Sequence, residues 1–304
     1  MRKFIKYGLF FLLPLIMIVV IMEVALRQVP NTYKYKYDWM QNNADDVELL
    51  IFGSSHAFFG IRPNVFEQKV FNLANVSQGI AQDIYLLKKW SDKYKRLKTV
   101  IVPISFSTWF GKGLENGSES YRCRYYKIYM DCDLYPDFSL YNFALYDMGT
   151  AKKNLRSLLE HKTEIGCDKY GWGTDYKLKN KNIETWSNGE EADAAVKRHT
   201  AKDWEAIGRN TAIIKEIADF CKSHNIRLVL ITTPCWHSYY SQLNQRQLDK
   251  MYELTHALQK EYNLQYFDYL KDSRFIADDF YDSNHLSDVG AEKFTKILKM
   301  DLGL

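Results

Sequence analysis

No two of the five cysteines (Cys123, Cys132, Cys167, Cys221 and Cys235) form a CxxC pair, and no histidines stand near them at zinc-ligand spacing. That absence argues against a structural metal site, and no metal or other cofactor is expected. The cysteine number is odd, so at least one thiol stays unbridged or pairs between chains. Long blocks of like charge are missing too: 41 basic and 37 acidic residues interleave along 304 positions to a net charge of +4. The chain therefore has no electrostatic footprint for nucleic acid. Beyond its first turns of sequence it also has no apolar run of membrane-spanning length.

The one long apolar run opens the chain. Arg2, Lys3 and Lys6 precede YGLFFLLPLIMIVVIM (Tyr7 to Met22), which is uncharged throughout, and apolar residues resume at Val24 to Leu26 after Glu23. As a helix rising about 1.5 Å per residue, this stretch reaches roughly the thickness of a hydrocarbon core. A cleaved signal peptide shares the basic start. However, Val24-Ala25-Leu26-Arg27 is a poor small-x-small cleavage site and the run is long for a signal, so residues 4–26 read as an uncleaved transmembrane anchor. Positive charge at the start predicts a cytoplasmic N-terminus (1–3) and an extracytoplasmic main domain, against the opposing basic residues Arg27, Lys34 and Lys36 on the far flank. Residues 27–46 lack strong periodicity and read as a linker.

From Val47 onward, short apolar runs alternate with longer amphipathic ones, the pattern of βαβ units and a parallel sheet. Strands are expected at VELLIF (Val47 to Phe52), KVFNLA (Lys69 to Ala74), KTVIVPIS (Lys98 to Ser105), IRLVLITTP (Ile226 to Pro234) and LQYFDY (Leu264 to Tyr269). Helices are expected over Gln78 to Tyr94, with Ile80, Ile84, Leu87 and Trp90 on one face, over Trp204 to His224, and over about Leu243 to Tyr262. LSDVGAEKFTKILKMDL forms a last helix. Five strands with interleaved helices fit an α/β/α three-layer sandwich over residues 47–304. Residues 106–200 interrupt the rhythm with tyrosine-rich sequence such as YRCRYYKIYMDCDLYPDFSLYNFALYDM, too long for a plain loop. They read as an insertion, serving either as a lid or acceptor-binding wall or as a surface subdomain without a binding role.

Ligands of open parallel sheets bind beyond the carboxyl ends of the strands. Gly53-Ser54-Ser55 lies there, past the first strand, where glycine permits a sharp turn and the amides of a following helix can stabilise an anion near Ser55. A serine hydroxyl is a weak nucleophile without a base. In FYDSNHLSDVGAEKF, Asp282 and His285 are spaced so that the carboxylate can orient one imidazole nitrogen while the other faces a serine. Capping of the last helix by Asp282, Ser283 or Ser287 is the simpler use of the same residues. His56 is assigned a structural role and Cys235 an inert one. Trp236 and His237, in TTPCWHSYY after the fourth strand, either line the pocket or pack under the insertion.

Taken together, FGSSH after the first strand and DSNHLSDVGAEKF before the last helix resemble the first and last blocks of the SGNH (GDSL-type) hydrolase superfamily, over about residues 47–304 with the insertion excepted. The resemblance implies a five-stranded parallel flavodoxin-like sheet, Ser55 as nucleophile, and Asp282 and His285 as acid and base. Two blocks depart from the family pattern. NLANVSQGI replaces the block holding an oxyanion glycine, so Ser77 or Gln78 would supply that donor; PISFS replaces Gly-x-Asn, placing Ser105 at the asparagine position. With the anchor, these departures resemble the branch that works beside multi-span membrane-bound O-acyltransferases, such as the D-alanyl transfer protein of teichoic acid synthesis and the alginate acetylation proteins. That branch implies acetyl-type O-acyl transfer to or from a cell-envelope polysaccharide, with Ser55 as acyl carrier. The competing expectation is a non-catalytic envelope protein that binds glycan or a membrane partner on the same scaffold.

Overall fold

The computed structural model describes residues 2–136 and 138–304; Met1, within the expected cytoplasmic N-terminus, and Asp137, within the expected insertion, lie outside them. The chain divides into two compact units, one comprising residues up to Tyr37 with Ser118–Ile165, the other Asp38–Gly117 with Gly166–Leu304.

The larger unit is mixed α/β. Its strands β1 (Leu49–Ile51), β2 (Val70–Asn72), β3 (Thr99–Pro103), β4 (Arg227–Thr232) and β5 (Gln265–Asp268) form one all-parallel sheet in the order β2-β1-β3-β4-β5. Each lies inside its expected stretch, trimmed at both ends. Leu50 pairs with Phe71 on one side and Val100 on the other, and Ile101 pairs with Val229. Every residue of β1, β2 and β3 is buried, which is why these strands read as continuous apolar runs without alternation. Edge strand β5 has no buried residue, and its sequence mixes polar with aromatic side chains.

Helices Ile80–Lys89, Ile207–Ser223, Gln245–Tyr262 and Asp288–Leu302 stand where periodicity places them. In the first of these, Ile84 and Leu87 are buried as expected, with Trp90 just beyond the helix end, but Gln82 and Asp83 are buried beside them. A single core cluster joins Ile51, Ile101, Val229 and Ile231 of the sheet to Phe280, Ala291, Phe294 and Leu298 near the chain end. Burying each large apolar side chain of this kind is worth about 1.5–3 kcal/mol, so the C-terminal helix is held against the sheet by packing rather than by propensity.

Two expectations about the periphery need correction. The linker 27–46 contains the helix Thr32–Asn43, begun by Asn31 Oδ1, which accepts from the amides of Tyr33 and Lys34 (3.1 Å each). YKYKY alternates with period two and hides a helix whose second half is stabilised by tertiary packing: Trp39 stacks on Phe71 with 3.7 Å between ring centroids, and Met40 is fully buried. The insertion 106–200 is not one body either. Only Ser118–Ile165 joins the smaller unit, because residues 166–200 are bonded into the sheet-bearing one: Asn72 N–H donates to Tyr170 O (3.0 Å) and Gly173 N–H to Phe58 O (2.8 Å).

In the smaller unit, the helix Arg2–Arg27 contains an 18-residue window, Phe10–Arg27, long and apolar enough to cross a membrane, and almost none of it is buried by protein. The tyrosines of Ser118–Ile165 pack largely on one another and on Tyr33, which stacks on Tyr125 (4.9 Å) and meets Tyr126 edge-on (5.1 Å).

Candidate active site

The chain turns sharply after β1 because Gly53 adopts φ +107°, a left-handed conformation, and a Cβ there would lie 2.8 Å from Pro103 Cδ. Ser54 is extended and accepts the amides of Ala57 and Phe58 through its carbonyl, starting the six-residue helix Ser55–Gly60. Ser55 thus sits in the first helical turn, where amides have no intrahelical acceptor.

Asp282 and His285 are presented by a short hairpin, β6 (Phe280–Asp282) paired with β7 (His285–Leu286). Asp282 Oδ1 accepts from the amides of Asn284 (3.0 Å) and His285 (2.8 Å), closing the turn on itself. Its two oxygens lie 2.9 and 2.8 Å from His285 Nδ1, and His285 Nε2 lies 2.8 Å from Ser55 Oγ. A carboxylate only accepts, so Nδ1 carries the proton and Nε2 is left with the lone pair that faces the serine hydroxyl. Burial alone would raise the Asp282 carboxyl, but His285 and the amides of Asn284 and His285 outweigh it and hold the group below its ordinary value. The cap of the last helix falls to Ser287, whose Oγ accepts from Gly290 N–H (3.2 Å), so Asp282 is not used for capping.

Two further histidines surround this relay. His56 stacks on His285 with 4.7 Å between centroids and 21° between planes. The Asn284 side-chain amide donates to its Nε2 (3.2 Å), leaving Nδ1–H to donate to Ser54 Oγ (3.3 Å). Burial first, then the neighbouring His285 and His199, push His56 well below the usual imidazole range. His199, whose Nδ1 pairs with Tyr239 Oη (2.7 Å), is pushed down to about 4, mainly by burial. Among the described residues, His285 is the one of the three hydrogen-bonded to a carboxylate, which makes it the candidate base. Tyr176 meets the His285 ring edge-on (5.2 Å, 80°) and is itself stacked between Phe59 (3.8 Å) and Tyr281 (4.2 Å). No local pattern announces His199, Tyr176 or Tyr239; only the fold brings them here.

The other expected residues divide. Gln78 is buried and bonded into its own turn: its Nε2 donates to Asp83 Oδ1 (2.7 Å), its Oε1 accepts from Asn75 Nδ2 (2.9 Å), and its backbone amide donates to Asn75 O (3.1 Å). Ser77, in the same turn, takes a left-handed backbone at φ +59° and is half-buried. Ser105 sits in a hydroxyl cluster at the end of β3, its Oγ 3.0 Å from Thr108 Oγ1 and 3.4 Å from Ser107 Oγ. Trp236 is half-buried against the core, near Trp186 and Phe280 (5.5 Å each), with its amide donating to Ser283 O (2.8 Å). His237 is exposed, and its ring neighbours Trp236. Glu191, a residue the sequence did not single out, has a carboxyl pushed up by burial and by the charge of Asp282. Cys235 is buried, and burial raises its thiol, as suits an inert cysteine.

Beneath the site, Asp83 ties the first two loops together, since Oδ1 accepts from both Gly53 N–H (3.1 Å) and Gln78 Nε2 (2.7 Å). Burial raises its carboxyl to about 7 despite those two donors. An unfolded aspartate titrates near 3.9, so the folded protein binds this proton more tightly. The resulting stabilisation is fully present below about pH 4 and is lost as pH rises through about 7. Asparagine keeps an Oδ1 acceptor for both donors and does not ionise. Asp83→Asn protein is therefore expected to gain stability relative to the parent across that window, by on the order of a few kcal/mol in all, read from thermal unfolding midpoints at a series of pH values. A gap that stays constant with pH would exclude ionisation of Asp83 as its source.

No protein-family model and no curated protein matches the chain.

Proposed function

We propose that this chain is a membrane-anchored, extracytoplasmic serine acyl-ester enzyme of the SGNH type, acting in acetyl-type O-acyl transfer to or from a cell-envelope polysaccharide. The observation that carries the reading is the hydrogen-bonded series Ser55, His285, Asp282, assembled from residues 230 positions apart. A capping hairpin needs no such alignment. The strand order β2-β1-β3-β4-β5 supports the finer reading of the fold as a three-layer, flavodoxin-like sandwich.

On this reading Ser55 Oγ attacks the acyl carbonyl while His285 Nε2 takes its proton, and Asp282 stabilises the imidazolium. The tetrahedral oxyanion collapses to an acyl-Ser55 ester, and His285 returns the proton to the departing alkoxide or other leaving group. A second hydroxyl then attacks the acyl-enzyme, passing its proton to His285, which hands it to Ser55 Oγ as the acyl–serine bond breaks. Water as that acceptor makes the reaction a hydrolysis; a sugar hydroxyl makes it a transfer. Donors for the oxyanion are the Ser55 amide, the Ser77 turn and the Ser105 hydroxyl, with Gln78 withdrawn into the Asp83 network. A multi-span membrane O-acyltransferase is the partner that fits the anchored transfer reading.

A serine-reactive fluorophosphonate tests the proposal. Labelling mapped to Ser55 in the parent and absent from His285→Ala protein is the expected result. An unlabelled parent protein would favour the alternative, a non-catalytic glycan- or partner-binding scaffold, whose motivation is the altered second and third blocks.

A further inference from the structure

The smaller unit leaves an apolar surface uncovered beside its N-terminal helix. Phe138, Leu140, Phe143, Tyr146 and Met148 are exposed at 105, 60, 53, 46 and 71%. Five large apolar side chains within eleven residues is not the scatter of a monomer surface. The same stretch is bonded to the end of the helix. Glu23 accepts the amides of Ala144 (2.9 Å) and Leu145 (3.1 Å), and the Arg27 guanidinium donates to Asn142 O. Ala144 and Leu145 also pack with Leu26, Ala151 and Leu155.

We propose that this segment is a collar lying in the interfacial zone of the bilayer that the helix Arg2–Arg27 spans, a second membrane contact beside the span. The inference rests on the membrane reading of that helix. Its occupant follows from shared residues: Leu140, Phe143 and Tyr146 form one apolar groove of about 400 Å³ with Val19, Val20 and Val24. Those three valines belong to the helix's own exposed apolar run, 54% exposed each, so whatever medium covers them covers the collar as well. Val19 to Val24 spans about 7.5 Å of helix just before the apolar run ends, the depth at which aromatic side chains gather in membrane proteins. The charges at this level are satisfied locally, Glu23 by Arg27 and two amides, Arg27 by Glu23 and a carbonyl. Lipid tolerates that arrangement. A packed helix partner would instead be met by small residues allowing close approach, and the collar presents Leu, Phe, Tyr and Met.

The full chain, with Cys167→Ser to remove the one cysteine that is not buried, is labelled with an environment-sensitive fluorophore at Phe143→Cys, at Met148→Cys, at Val19→Cys as reporter of the span, and at exposed Lys202→Cys as reporter of water. Each protein is reconstituted in phosphatidylcholine–phosphatidylglycerol vesicles carrying a nitroxide high on the acyl chain. Blue-shifted emission and about twofold quenching at 143 and 148, without change at 202, is the expected result. Quenching at 19 with positions 143 and 148 behaving like 202 overturns the collar and leaves the span standing, whether or not a protein later shields those positions. No quenching at 19 removes the membrane reading, and the collar with it.

Discussion

Replacing Ser55 by alanine is expected to lower kcat/KM toward an acetyl ester by on the order of 10⁶-fold while leaving the unfolding midpoint close to the parent's. Ser55 is half-buried and its hydroxyl bonds to His285 Nε2 (2.8 Å), so the substitution removes the proposed nucleophile and one hydrogen bond without opening a cavity in the core. His285→Ala should cost about as much, and the double substitution little more than either, because residues that act as a unit lose their effect together. Asp282→Asn is the sharper probe. Its carboxamide can present N–H to His285 Nδ1, which favours the tautomer with the proton on Nε2, and that nitrogen then cannot accept from Ser55. Turnover of a chromogenic acetyl ester by the purified proteins is the measurement. Parental rates in Ser55→Ala and His285→Ala would end the proposed mechanism.

A comparably large effect on stability is expected at Gly290. A Cβ there would lie 1.8 Å from Asp279 O and 2.6 Å from its carbonyl carbon, both backbone atoms that no side-chain rotation can move away. The neighbourhood is tightly tied: Ser287 N–H donates to Asp279 O (2.9 Å) and Ser287 Oγ to Asp278 O (2.9 Å), while Ser287 also caps the helix whose first turn holds Gly290. Gly290→Ala is therefore expected to destabilise the protein by about 3 kcal/mol or more, the upper range for overpacking, measured by chemical denaturation. Asp279 is followed three residues later by Asp282, so the displaced backbone is the one that carries Asp282 and His285. Activity should fall more than the loss of folded protein explains, and a variant with parental stability and activity would show that the two segments separate freely.

The legible part of this protein is local. Apolar runs located the five strands of the parallel sheet but not the β6–β7 hairpin, and a three-residue spacing paired Asp282 with His285, because strand burial and a carboxylate's reach to a nearby imidazole are settled within a few residues of sequence. Gln78 shows where such reading stops. As a polar residue after β2 it looked free to donate, yet Asp83, on the inner face of the next helix, holds it. The helix Thr32–Asn43 escaped for the same kind of reason, since the Trp39–Phe71 stack, not periodicity, stabilises its second half.

The sequence by itself determined the mixed α/β class, the exposed apolar helix at the start and the three residues of the candidate relay. Tertiary structure alone decided how these three side chains align. Three imidazoles crowd the site; burial neutralises His56 and His199, while Asp282 orients His285 against Ser55. Basicity and direction depend on desolvation and on partners far along the chain, and those exist only once β1 and the β6–β7 hairpin are brought together.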